Sequence, residues 1–263
     1  MKSILPRQSW RKTLLPYRKI RYNKGHGVHS PFVFNLITKV INDRCSFYCF
    51  QEIENVRKHL LQKNTLITYP DRRHKNKSRQ ASLAAVVKRE AIQPKRGALL
   101  FRLTNYFKAE KILQIGPSMG ISTLYLSAYA PGLTCVSLER VAELAMISGE
   151  VYKQAARTAI DLQVGSYRQL LPGILQKMGK VDFVFFNGRI EQECLFDLVT
   201  ACLPYTHENS VFVVEDINRN KEMRTSWKKI CSLPEVSVSL DLFSLGIVLF
   251  NKKLHKRNYI VYF

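Results

Sequence analysis

Apolar positions between residues 31 and 107 recur with a helical period. Phe32, Val33, Leu36, Ile37, Val40 and Ile41 fall on one helix face, and Ser30 followed by Pro31 supplies an N-cap and a first helical residue. Further helices are predicted over 50–63 and 81–92. The second stops near Pro94, after which Leu99, Leu100, Leu103, Tyr106 and Phe107 resume the stripe. Residues 68–80 are polar, basic and turn-like. Residues 1–24, with Pro6 and Pro16 and no sustained period, read as an arm.

From residue 111 the period changes. KILQIG (111–116), TCVSLE (134–139), DLQVG (161–165), VDFVFFN (181–187) and VFVVED (211–216) are short, nearly continuous apolar runs. Helical stretches separate them over 121–130, 141–157, 190–202 and 220–231, the last with Met223, Trp227, Ile230 and Cys231 on one face. Strands without a polar face, alternating with helices, predict a parallel doubly wound sheet. Residues 236–243 and 246–251 add two strands joined by a very short turn, so one strand must run antiparallel. The expected fold is a Rossmann-like three-layer α/β/α sandwich of about seven strands with a terminal antiparallel hairpin. It occupies residues 97–263, and residues 1–96 form a basic arm and a helical N-terminal region placed as a lid.

Charge sharpens this division. Of the net +21, residues 1–110 carry +18 and residues 111–263 only +3. Residues 2–24 contain no acid, Trp10, Tyr17 and Tyr22 lie among the cations, and Arg72, Arg73, Lys75, Lys77 and Arg79 cluster. Such a region suits a polyanion, either nucleic acid or an anionic membrane surface, and it equally suits a solvated extension. No apolar run approaches the roughly 20 residues of a membrane span, and no signal-peptide core follows the basic start. Six scattered cysteines without a C-x-x-C pair predict free thiols in a cytoplasmic protein. His26 and His29 lack companions for a metal site and read as turn and packing residues. Cys45 and Cys49 read as part of an apolar helix face.

The chemistry is concentrated at the strand ends. In KILQIGPSMGISTLYL the first strand ends at Gly116, Pro117-Ser118-Met119 form a tight loop, and Gly120 opens a helix. The first β-α loop of a doubly wound sheet is where such folds bind nucleotides. Its G-x-x-x-G spacing is neither the dinucleotide fingerprint nor a P-loop. Glu139 ends the next strand, placed to accept the ribose hydroxyls of an adenosine or to pair as an ordinary exposed acid with Arg140.

The order of five β-α units and a hairpin resembles class I methyltransferases that use S-adenosyl-L-methionine (SAM). ILQIGPSMGISTLYLS is similar to the first motif of the catechol and caffeoyl-CoA O-methyltransferase group. A bacterial methyltransferase-like family with a GHGVHSPFVF-type stretch (here 25–34), a basic GSR-type loop (77–79) and LLFRL (99–103) resembles nearly the whole chain from residue 20. The resemblance implies SAM as cofactor. Gly116, Ser118, Gly120 and Ser122 would lie around its methionine end, Glu139 on the ribose, Ser166 by the adenine and Asn187 at the cofactor edge.

The chain departs from this pattern at positions that carry chemistry. Gln114 stands where the group has an acid before the first glycine. Asn187 stands where metal-dependent members have a ligating Asp, and an amide is a poor ligand for a hard divalent ion; it can equally serve as a structural cap. Ile190 occupies the position of the family's Lys or His and cannot move a proton. Glu215 and Asp216 remain as candidate catalytic bases, with no metal expected. The implied function is SAM-dependent methyl transfer, to oxygen, on an unidentified acceptor and without metal. The alternatives are a catalytically degenerate SAM-fold binding protein, or a methyltransferase acting on RNA or an anionic envelope molecule. The signature of nucleobase amino-methyltransferases is absent.

Overall fold

The computed structural model describes residues 16–22, 25–70, 78–116, 119–157, 159–187, 190 and 192–263. Most of the arm, four of the clustered cations (Arg72, Arg73, Lys75 and Lys77) and Ser118 lie outside the described residues.

The chain enters through a short helical segment, α1 (16–21). α2 (Pro31–Leu36) starts as its sequence dictates: Ser30 accepts a hydrogen bond from the Val33 amide, and Pro31 opens the helix. It runs on into a π-helical turn, Ile37–Ile41. There the buried Arg102 guanidinium donates from Nε to the Val40 carbonyl (2.7 Å), satisfying a terminal acceptor that has no partner within the helix. α3 (Tyr48–Gln62), α4 (Leu83–Glu90) and α5 (Pro94–Phe107) follow. Cys45 departs from its predicted place: it is exposed in the loop before α3, and Cys49 is buried without it. Residues 68–80 also differ from expectation. Their ends pair as an antiparallel ladder of β1 (Leu66–Pro70) and β2 (Ser78–Ser82). The apolar run Leu66-Ile67-Thr68-Tyr69 carries the strand preference that the neighbouring cations masked.

The main sheet begins with β3 (Lys111–Ile115). It continues through α6 (Ile121–Ser127), β4 (Thr134–Glu139), α7 (Ala142–Gln154), β5 (Ile160–Val164), α8 (Tyr167–Met178), β6 (Phe183–Phe186), α9 (Gln192–Cys202), β7 (Val211–Glu215), α10 (Lys221–Ser232), β8 (Val238–Asp241), β9 (Leu245–Leu249) and β10 (Arg257–Ile260). The spatial order is β10-β8-β9-β7-β6-β3-β4-β5. β3 to β7 are parallel, and β9 runs antiparallel between β7 and β8. The sheet has eight strands rather than about seven. The eighth, β10, pairs in parallel with β8 at the edge.

Pleating sorts the strand residues into two cores. Ile112, Phe183, Phe185, Val211 and Val213 face a layer built from α2 to α7. Leu113, Ile115, Val184, Phe186, Phe212 and Val214 face α8, α9 and α10, where Met223, Trp227, Ile230 and Cys231 pack as the stripe predicts. The helices before residue 97 share the first core with the strands, since Val33, Leu36, Ile53 and Leu60 belong to that cluster. No helix among the described residues is long and apolar enough to cross a membrane.

The tightest helix contact is between α5 and α6. A Cβ on Gly97 would lie 2.4 Å from the Tyr125 ring, which is buried and whose hydroxyl donates to Glu54 (2.8 Å). Gly173, on the exposed side of α8, has nothing within 4 Å. The same substitution should therefore have opposite effects at the two sites. Gly97→Ala should destabilise by about 1–3 kcal/mol through overpacking, whereas Gly173→Ala should stabilise by roughly 0.5–1 kcal/mol through backbone entropy. Denaturant unfolding of both variants beside the wild type checks the pair of signs.

Candidate active site

The parallel strands deliver their last residues to one edge, and most of the sequence-predicted site residues lie along it. β3 ends at Gly116, whose φ of 76° lies in the left-handed region that glycine tolerates. Its amide donates to the Leu138 carbonyl (2.9 Å), tying the turn to β4. A side chain at Gly116 would meet Tyr167 Oη at 3.3 Å, Asn187 Cβ at 3.4 Å and Ile190 Cγ1 at 3.5 Å. Elements far apart in sequence thus close a small cradle over the glycine.

Gly120 has a different physical reason. Its φ is 77°, and a Cβ there would lie 2.7 Å from the Tyr152 ring, so it lets the start of α6 lie against α7. Tyr152 is held by Thr123 (2.8 Å) and Ser137 (2.9 Å), and burial pushes its phenol well above its ordinary pKa. Ser122 lies just inside α6, is buried, and accepts from Gln114 Nε2 at 2.5 Å. Gln114, fully buried on β3, leaves its Oε1 without a hydrogen-bond partner among the described residues.

Glu139 closes β4 and is only 3% exposed. Its Oε1 accepts from the amides of Arg140 (2.8 Å) and Val141 (3.0 Å), at the entry of α7. Those two bonds fix the carboxylate at the strand end. Ser166 caps α8 through its backbone, its carbonyl accepting from Gln169 and Leu170, and it lies one residue after Gly165, whose amide donates to the Glu139 carbonyl (2.9 Å). Asn187 is buried at the end of β6, with its amide on the Ile115 carbonyl (3.1 Å). Gly116, Glu139, Ser166 and Asn187 therefore belong to one stretch of edge. Ser122 lies just beneath it, through Gln114.

Glu215 and Asp216 end β7. Glu215 is buried, and Asp216 adopts a left-handed φ of 55° while its amide donates to the Ser244 carbonyl (2.6 Å). The sequence reading missed their partner. Arg96, in the first turn of α5, places Nη1 3.3 Å from Glu215 Oε1 and 3.1 Å from Asp216 Oδ1. The contact spans 119 residues, which no local pattern announces. The one available hint was compositional: α5 begins Pro94-Lys95-Arg96 with no acid in its first turn, the wrong sign for a helix N-terminus.

A second missed pair lies beside the first. Arg18 of α1 makes a two-pronged bond to Asp241 at the end of β8 (2.9 and 3.0 Å), with its guanidinium over the Phe243 ring. Asn218 donates to the Phe243 carbonyl (2.9 Å), and Tyr22 accepts from the Tyr262 amide (3.1 Å). The start of the described chain and its C-terminal residues are thus bound to the same edge. Among the described residues no three His, Cys, Asp or Glu side chains gather as metal ligands would.

No protein-family model matches the chain, and no curated protein matches it by sequence. Solved structures match it by fold. The O-methyltransferase TomG from Streptomyces achromogenes, involved in tomaymycin synthesis and solved in complex with SAM, is similar with a TM-score of 0.56 and 16% identity, over 79% of this chain and 91% of that one. An O-methyltransferase from Bacillus cereus in complex with SAH gives 0.55 and 16%, covering 83% and 97%. The SAH-bound Podospora anserina methyltransferase PaMTH1 gives 0.59 and 14%, covering 95% and 99%. At these identities the likeness is one of architecture, and the chain has the Rossmann-like fold that these methyltransferases share.

Proposed function

We propose that the protein is a SAM-dependent methyltransferase acting on an oxygen of its acceptor without a metal ion. The observation that carries this reading is the cradle at Gly116: a glycine-only turn closed by Tyr167, Asn187 and Ile190, one strand away from the buried Glu139. That arrangement fits a nucleoside-containing cofactor at the strand edge, as do the SAM and SAH of the structural neighbours. When bound, SAM would supply an electrophilic methyl group.

The chain's own residues then divide the work. The turn at Gly116, with Ser118, Gly120 and Ser122, holds the amino-acid end. Glu139, already fixed by two backbone amides, accepts the ribose hydroxyls. Ser166 and Asn187 bound the site on either side. Glu215 or Asp216 takes the acceptor's proton on a carboxylate oxygen. The described residues before 97 reach the acceptor side, in the place of a lid, through Arg18 and Arg96. Alignment and exclusion of water supply most of what methyl transfer needs, so the loss of the family base at Ile190 is tolerable.

Glu139→Ala should weaken SAM binding at least about tenfold, the loss expected for a charge-assisted hydrogen bond of roughly 1.5–3 kcal/mol. Isothermal titration with SAM and S-adenosylhomocysteine measures this, and an unchanged affinity removes Glu139 from the site. Methyl transfer should persist in EDTA, and restoration by Mg²⁺ after its loss in EDTA would overturn the metal-free reading. Tight SAM binding without turnover on any acceptor would favour a degenerate binding protein.

We also infer a polyanion partner for the arm, supported by the charge of residues 1–110. Binding to RNA, DNA or anionic liposomes should fall steeply between about 50 and 200 mM salt, through counterion release, and be indifferent to sequence. Because Arg18 holds Asp241, the informative truncation removes residues 1–15, which should weaken that binding and leave SAM affinity intact. Absence of binding at the lower salt leaves the arm a solvated extension.

A further inference from the structure

The resemblance implies a divalent ion, in metal-dependent members, at the strand-end positions that are here Asn187 and the pair Glu215 and Asp216 after the fifth parallel strand, and these residues do not fit one. Asn187 offers an amide where a hard cation needs a carboxylate. Glu215 and Asp216 already share a cation, since one guanidinium nitrogen of Arg96 lies 3.3 and 3.1 Å from their oxygens. An ion bound to those oxygens would stand about 2.0–2.6 Å from each. That position collides with the Arg96 nitrogen and brings two cations together in a half-buried setting, where repulsion is weakly screened.

We propose that Arg96 is the resident cation of this edge, taking the place of a divalent metal between the β7 carboxylates and excluding one from it. Three features of the chain support the assignment. Arginine cannot be deprotonated in a protein, so the charge is permanent. Arg96 sits in the first turn of α5, where a cation opposes the helix dipole, and that local cost is offset by its two carboxylate partners. Its Nε and Nη2 make no hydrogen bond to any described residue, which leaves donors for an acceptor oxygen in the role a Lewis acid would have.

The inference is independent of methyl transfer, and so is its test. Mn²⁺ binding is read by electron paramagnetic resonance on the wild type, Asn187→Asp, Arg96→Gln with Asn187→Asp, and Arg96→Lys with Asn187→Asp. Thermal unfolding serves as the fold control. With the carboxylate restored but Arg96 in place, millimolar Mn²⁺ should remain free. Removing the guanidinium from that background should tighten Mn²⁺ binding at least about tenfold, and lysine, which keeps a cation, should not. The proposal is overturned if Asn187→Asp binds Mn²⁺ as tightly as the folded double variant, or if the wild type binds it. It is equally overturned if the folded Gln variant binds none. Where Arg96→Gln does not fold, Arg96→Met with Asn187→Asp, which keeps an unbranched side chain and removes its charge, takes its place in the same comparison.

Discussion

The central strands have no face open to water. β3, β6 and β7 lie in the middle of an eight-stranded sheet with helices on both sides, and every residue of β6 and β7 is buried. Polar chemistry cannot be placed along such strands without a desolvation penalty of several kcal/mol per group. It is forced to where the strands stop. Gly116, Glu139, Asn187, Glu215, Asp216 and Asp241 all sit at or just beyond a strand's last residue, and together they make up the edge where the candidate site lies.

Crowding carboxylates at one edge creates a second constraint, because each needs its own compensation. Glu139 obtains it from two backbone amides at the entry of α7. Glu215 and Asp216 share Arg96, and Asp241 takes Arg18. Both cations come from the basic N-terminal region and cross more than a hundred residues to reach the sheet. Others in that region are also used internally: Arg57 on Glu54, Arg89 on Glu90, and Arg102 on the end of the π-helical turn. The charge excess that marks residues 1–110 is therefore partly structural, and only the remainder is available to an external polyanion.

This explains which features were legible in the sequence. Runs such as VDFVFFN and VFVVED identify strands buried on both faces because their pattern is local and unbroken. Met223, Trp227, Ile230 and Cys231 announce the buried face of α10 for the same reason. Glycine at 116 is legible because a strand must turn there, and Glu139 because it follows at a spacing one β-α unit long. β10 was not, since four residues at a sheet edge with one buried side chain carry too little periodicity. β1 and β2 were hidden by the cations around them. Arg96 and Arg18 were beyond reach altogether: an ion pair across 119 or 223 residues leaves no trace in either local segment.

Gln114 is instructive in the same terms. It stands where the group that its motif resembles has an acid, on the strand that leads into the Gly116 turn, and it faces the first core, fully buried, with Ser122 as its hydrogen-bond acceptor. A carboxylate at that depth would need a cation or several donors, and no Lys or Arg bonds to this position among the described residues. An amide avoids the charge and leaves only one buried acceptor atom unmatched. The resemblance implies the same exchange, acid to amide, at Asn187. Beside Glu215 and Asp216, a third carboxylate would bring another charge within the reach of one guanidinium. Both substitutions lower the number of negative charges that this buried edge must balance, which makes them consistent with a site whose positive charge is a side chain of fixed valence rather than a divalent ion.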